Sequence, residues 1–248
     1  MVDDYINLLN KADELTQEKN YDLAIECYEA VLDRYPNCIT AWNNLGLVYT
    51  QTGDLKKAVE KFDKAIELNP ENLSALQNKA NASMFLFDFE GANKAYDMIL
   101  KVNPSDIVTL TNKGFICSQL NKPDEALEAM GKALKLDPKQ SQILAAKASI
   151  YEGLRDFDSA IECYDKAIEI DPENSMLFVD KAFACKEDGR YELAITCCDI
   201  ALDLDPKNEK AYLNKGLTFE KMGNDKEAKN CYNQAVAINP RILEEDNF

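Results

Sequence analysis

Histidine is absent from this 248-residue sequence, and glycine and proline are scarce, with nine and eight residues. The lack of histidine removes the commonest general base and the commonest metal ligand, so every histidine-dependent triad is excluded. Low glycine and proline content argues against long disordered linkers. No apolar run reaches the roughly 18 residues that a membrane helix needs, so none is expected.

Basic residues are also fewer than acidic ones: the sequence has 28 lysines and arginines and 44 aspartates and glutamates, so its net charge is −16. Phosphates would be repelled by such a chain, so we expect neither nucleic acid nor membrane as a partner. The amino terminus, from Met1 to Tyr5, is acidic and lacks the apolar region of a secretory signal. A cytoplasmic location is therefore expected.

The eight cysteines form no C-x-x-C pair, which in a cytosolic protein indicates small buried residues with free thiols. Cys163, Cys197 and Cys231 are 34 residues apart, so they would lie on successive helices too distant for a disulfide or a shared metal. Glycine-rich nucleotide loops, metalloprotease motifs and calcium loops are missing as well. We expect no catalytic residue, no metal site and no cofactor.

Internal repetition is the strongest signal in the sequence. Seven of the eight prolines are spaced 34 residues apart without insertion or deletion: Pro36, Pro70, Pro104, Pro138, Pro172, Pro206 and Pro240. An alanine keeps the same register: Ala24, Ala58, Ala92, Ala126, Ala160, Ala194 and Ala228. A fixed period of this length is typical of an array of helical hairpins.

The second repeat shows the pattern most clearly, with Trp42, Leu45, Gly46, Tyr49, Ala58, Phe62 and Pro70. This spacing resembles the signature of the tetratricopeptide repeat (TPR) family, which has a 34-residue period. The resemblance implies an all-α fold, a right-handed α-solenoid (superhelix) of seven helix–turn–helix repeats. It predicts one array over residues 1–248, with repeats at 5–38, 39–72, 73–106, 107–140, 141–174, 175–208 and 209–242 and a tail at 243–248.

Physical reasons support this pattern. The eighth position of each repeat is small, as in Gly46, which would let the second helix approach closely. Gly53 and its counterparts fall where a helix C-cap needs a positive φ, and asparagines fall at or beside that place in two other repeats. The last repeat has Asp225 and Lys229 where most repeats are apolar, and the tail has Asp246. The array is therefore expected to end with the seventh repeat.

An asparagine ladder follows the sixth position of the repeats: Asn10, Asn44, Asn78 and Asn112, then Ala146, Asp180 and Asn214. With positions 2, 9 and 13 this position forms one stripe of the first helix, which in the TPR family lines a concave groove. An amide can bond the N–H and C=O groups of a bound peptide. The ladder predicts peptide binding. Because these side chains point away from the packing face, we expect folding to depend little on the asparagines. The alternative is that they are only solvated.

Apolar residues lie beside the ladder at the ninth position, where Leu47, Phe115 and Phe183 stand out. Phe85 and Met176 belong to the same stripe. Apolar side chains on a solvent-facing groove suggest anchors for a partner. The alternative is that they only fill the contact between neighbouring first helices.

Two features narrow the choice of partner. The fifth position carries no lysine, so the two-carboxylate clamp with which some TPR domains bind chaperone tails is absent. The seventh position is lysine in six repeats, a series that could form a track for an anionic ligand. We favour the alternative, in which these lysines lie along a neighbouring helix and pair with its carboxylates.

The resemblance implies a protein–protein interaction scaffold that binds an extended or helical segment of another protein in its groove. The alternative is an accessory substrate-docking lobe of a larger enzyme assembly. A third option, end-to-end self-assembly, is disfavoured by the polar last repeat, so a monomer is expected. The excess of acids predicts a preference for neutral or basic segments.

Overall fold

A computed structural model describes residues 2–242; Met1 and the tail, with the Asp246 used to predict the end of the array, lie outside the described residues. Within that range the chain forms fourteen α-helices and no strand. In order they are α1 (Val2–Gln17), α2 (Tyr21–Arg34), α3 (Ile39–Gln51), α4 (Leu55–Leu68), α5 (Leu73–Phe85), α6 (Phe89–Val102), α7 (Ile107–Gln119), α8 (Pro123–Leu136), α9 (Ser141–Gly153), α10 (Phe157–Ile170), α11 (Ser175–Glu187), α12 (Tyr191–Leu204), α13 (Glu209–Lys221) and α14 (Asp225–Ile238).

The predicted all-α class is confirmed, and each 34-residue repeat supplies one pair of helices. Every second helix ends two residues before its repeating proline, because proline restricts the residue before it and cannot donate a hydrogen bond. The out-of-register Pro123 is the first residue of α8, where a missing N–H is harmless.

Polar residues immediately before the helices cap their free N–H groups. The Asn72 side chain accepts a hydrogen bond from the backbone N–H of Ala75 at 3.0 Å. Asp88 does the same for Gly91 at 2.9 Å, at the start of α6. Each such cap stabilises its helix by about 1 kcal/mol, so the caps help to define where the hairpins begin.

The turn inside each hairpin has one residue with positive φ, always at the same place in the repeat: Lys19, Gly53, Phe87, Asn121, Arg155, Gly189 and Gly223. Glycine adopts this conformation without a steric penalty, and asparagine tolerates it. Asn20 lies beside that place, with a φ of −88°, and Lys19 takes the left-handed conformation instead.

The chain divides into two compact units, residues 1–125 and residues 126–248. In the first unit consecutive helices from α1 to α7 pack against each other, and in the second the same holds from α9 to α14. First helices of neighbouring repeats also contact directly: α1 with α3, α3 with α5, and α11 with α13. These contacts bring successive first helices together within each unit.

Close approach within a hairpin depends on the small eighth residue of the repeat. A Cβ atom on Gly46 would lie 2.5 Å from the ring of Phe62, which is fully buried. A Cβ on Gly216 would lie 2.6 Å from the ring of Tyr232. The prediction that a small residue lets the second helix approach is confirmed at both positions.

Lysines at the seventh position pair with an aspartate on the second helix of the preceding repeat. Lys79 lies 2.6 Å from Asp63, and Lys181 lies 2.5 Å from Asp165. The same contact joins two further pairs, Lys113 with Asp97 and Lys215 with Asp199. The predicted structural role of these lysines is confirmed in four repeats, where each pair connects adjacent hairpins.

We predict that Gly46→Ala destabilises the protein by about 1–3 kcal/mol, because the new methyl group has no room against Phe62. Gly131→Ala is the matched control: it also replaces a glycine inside a helix, but apart from its chain neighbours and the nearby backbone of its own helix no described atom lies within 4 Å of the added Cβ. The control should stabilise by roughly 0.5–1 kcal/mol. Urea unfolding midpoints that move in the same direction for both variants would contradict this account.

Candidate functional site

The predicted binding residues all lie on one stripe of the first helices, at repeat positions 2, 6, 9 and 13, which we call the first-helix stripe. Asn10 is exposed, whereas Asn44, Asn78 and Asn112 are half-buried. The predicted apolar residues stay partly open to solvent, with Leu47 at 37%, Phe115 at 49% and Phe183 at 38% exposure.

Asn44 connects the first and second repeats. Its Nδ2 donates to Asp13 Oδ1 over 3.0 Å, and the Tyr28 hydroxyl donates to the same oxygen. Burial, followed by the hydrogen bond to Asp13, raises the pKa of Tyr28 to about 12. The three side chains therefore form a polar contact between α1, α2 and α3, in which Asp13 and Asn44 belong to the first-helix stripe.

Asn78 and Asn112 make comparable contacts farther along the unit. Asn78 Nδ2 donates to Asn43 Oδ1 over 3.0 Å, from α5 to α3. Asn112 on α7 interacts with the hydroxyl of Tyr96 on α6, which lowers the pKa of Tyr96 against a larger increase caused by burial. These asparagines therefore contact neighbouring repeats, which the sequence analysis did not foresee, and their effect on folding stays a prediction.

The bonds between repeats still leave acceptor capacity on the stripe. The Nδ2 atom of Asn78 donates to Asn43, and no described group is recorded donating to its Oδ1 atom. An amide carries two N–H donors and an oxygen acceptor. The Asn78 side chain is therefore held in place with an oxygen available to a ligand.

Apolar surface surrounds Asn112 in the first unit. A surface pocket of about 670 Å³ is lined by Asn81, Met84, Phe85, Phe87, Tyr96 and Asn112. Phe85 is 70% exposed at the end of α5, and Phe115 lies on α7. The pocket lining carries no formal charge, so it suits an apolar side chain.

Phe87 is a candidate contact that the sequence reasoning missed. It takes the positive-φ turn position with a φ of 57° and is 79% exposed, beside Phe89 in an edge-to-face arrangement with ring centroids 6.1 Å apart. A bulky residue in this conformation is uncommon and costs conformational energy. The available signal was its register, since Phe87 stands 34 residues after Gly53.

In the second unit the ladder position is Ala146, Asp180 and Asn214, and Asp180 lies near a second carboxylate, Glu152. Glu152 accepts a hydrogen bond of 3.1 Å from the Tyr164 hydroxyl. Burial and the nearby charge of Asp180 raise the pKa of Glu152 to about 7, despite the opposing hydrogen bond from Tyr164. Burial also raises the pKa of Asp180, and Lys210 lowers it in part.

Cysteine and metal chemistry add no further candidate site. The cysteines are free thiols, and all except the half-buried Cys27 are buried, as predicted. Residues 2–242 contain no cluster of three or more acidic, cysteine or histidine side chains that could hold a metal ion. No helix in the same range has the length and apolar character needed to cross a membrane.

We predict that Glu152→Gln stabilises the protein at pH 8, with a gain that disappears as the pH falls toward 4.5. Between about pH 4.5 and 7 the native state binds more protons than the unfolded chain, so stability of the wild type falls as pH rises. Thermal melts of both proteins from pH 5 to 8 measure this. Glu162→Gln, an exposed glutamate paired with Lys166, is the control for the change in net charge. A pH-independent gain would contradict the prediction.

Comparisons with known proteins agree with this architecture. Tetratricopeptide-repeat family models match much of the chain, at residues 9–72, 108–140, 141–174, 163–196, 184–223 and 209–242. A search of curated proteins found no match.

Solved structures share the fold at low sequence identity. A tetratricopeptide repeat protein of Parabacteroides merdae is 19% identical with a TM-score of 0.64, covering 97% of this chain and 96% of that one. The C-terminal part of a TPR repeat-containing protein of Cytophaga hutchinsonii is 14% identical, with a TM-score of 0.75 and coverage of 95% and 97%. PilF of Pseudomonas aeruginosa is 19% identical, with a TM-score of 0.60 and coverage of 83% and 94%. The repeat pattern, the helical hairpins and the matching family models together show that this chain belongs to the tetratricopeptide repeat family.

Proposed function

We propose that this chain is a protein-interaction scaffold whose first unit holds an extended peptide segment along the first-helix stripe of repeats two to four. The observation that carries the proposal is the Asn78 amide, held by Asn43 with its oxygen available, followed one repeat later by Asn112 in a pocket with exposed phenylalanines. TPR arrays generally serve as non-catalytic interaction scaffolds, which agrees with this assignment.

Backbone recognition would come from the amides. A side chain already held by a neighbouring repeat loses little rotamer freedom when a peptide binds, so more of the hydrogen-bond energy contributes to affinity. The Oδ1 atoms of Asn78 and Asn112 would accept N–H groups from successive parts of one extended chain. Asn44, bonded to Asp13 and receiving a weak 3.4 Å contact from Asn43, has less capacity left. We therefore assign it a supporting role.

Side-chain anchoring would come from the apolar residues on either side of the amides. Phe115 and Leu47 keep 49% and 37% of their surface exposed, and Phe85 keeps 70%. Aromatic and aliphatic anchors in a pocket dominate the energetics of most interfaces. The exposed ring of Phe87 would extend this surface at the edge of the pocket.

The chemistry of the stripe also limits the partner. An apolar pocket without formal charge, in a chain of net charge −16, favours a neutral or basic segment with a large apolar side chain. We expect a protein or peptide partner rather than nucleic acid, a membrane or a chaperone tail. We further propose that the chain acts as a cytoplasmic monomer without catalysis, metal or cofactor.

We predict that the double variant Asn78→Ala with Asn112→Ala weakens peptide binding by roughly 5- to 150-fold. Each amide–backbone bond contributes about 0.5–1.5 kcal/mol, and 1.4 kcal/mol is a factor of ten. The probe is a fluorescent peptide selected from a random library on the immobilised wild-type protein. Anisotropy titrations should be run well below the melting temperature, because the variant also loses bonds between repeats.

Matched controls separate binding from stability. Asn230→Ala removes an exposed amide from the last helix, and Val102→Ser removes a 40% exposed apolar side chain from the end of α6. Both should leave affinity unchanged, whereas Phe115→Ser should reduce it about tenfold or more, the effect of losing an interface anchor. If the Asn78→Ala and Asn112→Ala double variant is folded and binds as tightly as Asn230→Ala, the asparagines are not the binding site.

A further inference from the structure

The turn end of repeat three differs from the same place in the other six repeats. Positions 12, 13 and 15 of this repeat are Met84, Phe85 and Phe87. The other repeats have polar, charged or glycine residues at these positions: Thr16, Gln17, Lys19, Thr50, Gln51, Gly53, Ser118, Gln119, Asn121, Glu152, Gly153, Arg155, Lys186, Glu187, Gly189, Glu220, Lys221 and Gly223. Folding of a hairpin therefore does not require apolar side chains at these three positions.

Two of these side chains are also unusually open to solvent. Among the described residues, Phe87 and Phe85 are the most exposed large hydrophobic side chains, at 79% and 70%. Phe87 has a φ of 57°, a conformation that glycine adopts without strain at the same place in repeat two. A bulky residue that is strained and exposed contributes little to packing, so its role is to be sought in binding.

Both rings belong to the wall of the pocket of about 670 Å³ described above. Met84 joins them, and the ring of Tyr96, which is 1% exposed, lies at the inner side. Asn81 and Asn112 add two amides to the wall. Gln77 Nε2 donates to Asn81 Oδ1 over 3.1 Å, which orients this amide and leaves a second lone pair for an N–H group of a ligand.

The charge around the pocket is balanced. Repeats two to four, residues 39–140, contain 13 acids and 12 bases, although the chain as a whole carries −16. The pocket wall itself carries no formal charge. Neither the wall nor its surroundings therefore offers a charged side chain a counter-charge, and an uncharged occupant is favoured.

We propose that this pocket receives an aromatic side chain of the segment bound along the first-helix stripe, and that Phe85 and Phe87 determine this specificity. The site belongs to the surface of the proposed function, on which this inference rests. Aromatic rings gain more than burial alone when they meet other rings edge to face or offset, and a methionine sulfur also favours a ring. Tryptophan fits best, because its ring carries an N–H donor for the Asn81 oxygen.

The test compares two capped heptapeptides of glycine and serine that differ only in the central residue, tryptophan in one and cyclohexylalanine in the other. Cyclohexylalanine has a saturated ring, which is apolar but not aromatic. Two-dimensional amide NMR titrations of the full chain measure affinity and locate the shifted resonances. We expect the tryptophan peptide to bind about three- to tenfold more tightly, with shifts around Phe85, Phe87 and Asn112.

Glycine variants at one repeat position show whether the exposed ring is responsible. Phe87→Gly introduces the residue that repeat two has as Gly53, so it relieves the positive φ and should keep the fold. Arg155→Gly is the matched control in the second unit, with a φ of 59°. It loses a contact with the ring of Phe157, as Phe87→Gly loses one with the ring of Phe89. Phe87→Gly should abolish the preference for tryptophan, and Arg155→Gly should retain it.

A second variant and a stripe variant complete the test. Phe85→Gln introduces the residue that repeats one, two and four have at this position, and it should also abolish the preference. Equal binding of the two peptides by the wild type, no binding at millimolar peptide, or a preference that survives both phenylalanine variants would each overturn the proposal.

Asn78 separates this inference from the proposed function, because it lies on the stripe but outside the pocket wall. Asn78→Ala should weaken binding of the library-selected peptide and leave the ratio between the two heptapeptides unchanged. A selected peptide that depends on Asn78, with no preference for tryptophan in the heptapeptides, would overturn the aromatic pocket alone. A tryptophan preference with a selected peptide that is insensitive to Asn78→Ala would support the pocket and count against the stripe.

Discussion

The contact between a small residue on the first helix and a ring on the second is the constraint on which the rest of the structure depends. At Gly46 the ring of Phe62 occupies the space that a Cβ would fill, so the two helices approach closely enough to form a hairpin. A single hairpin cannot bury its apolar surface, and stacking against the next hairpin completes the core. Because the period is constant, the same positions recur on the first-helix stripe of every repeat.

Tyrosines from the second helices link this core to the candidate site. Tyr28 and Tyr96 are almost fully buried, yet their hydroxyl groups reach the layer where Asn44 and Asn112 lie. In the second unit Tyr164 reaches Glu152 in the same way. The stripe is thus held by the packing below it, and we expect a substitution there to affect stability and the proposed binding together. The packing pattern is the same in every repeat. The few residues that differ between repeats consequently set the function of such a scaffold.

Periodicity made the helices, the turns, the proline ends and the lysine–aspartate pairs predictable, because each follows from residue type at one repeat position. Contacts between repeats whose partners change from one repeat to the next were harder to foresee. The bond from Asn78 to Asn43 depends on how far one first helix is shifted along the next, which no single repeat encodes. Phe87 was overlooked because turn chemistry predicts glycine or asparagine there. The acidic pair of Glu152 and Asp180 joins residues 28 positions apart and becomes visible only when the helices are assembled.

The central claim is that the first-helix stripe of repeats two to four is the surface that meets a partner protein. Photo-crosslinking tests this claim most directly, with p-benzoylphenylalanine placed at position 115 or at position 47 in place of Phe115 or Leu47. The control places it at the exposed Glu60, which lies on a second helix. The account predicts that the same partner is crosslinked from positions 115 and 47 and not from position 60. A partner crosslinked from position 60 and from neither stripe position would contradict it.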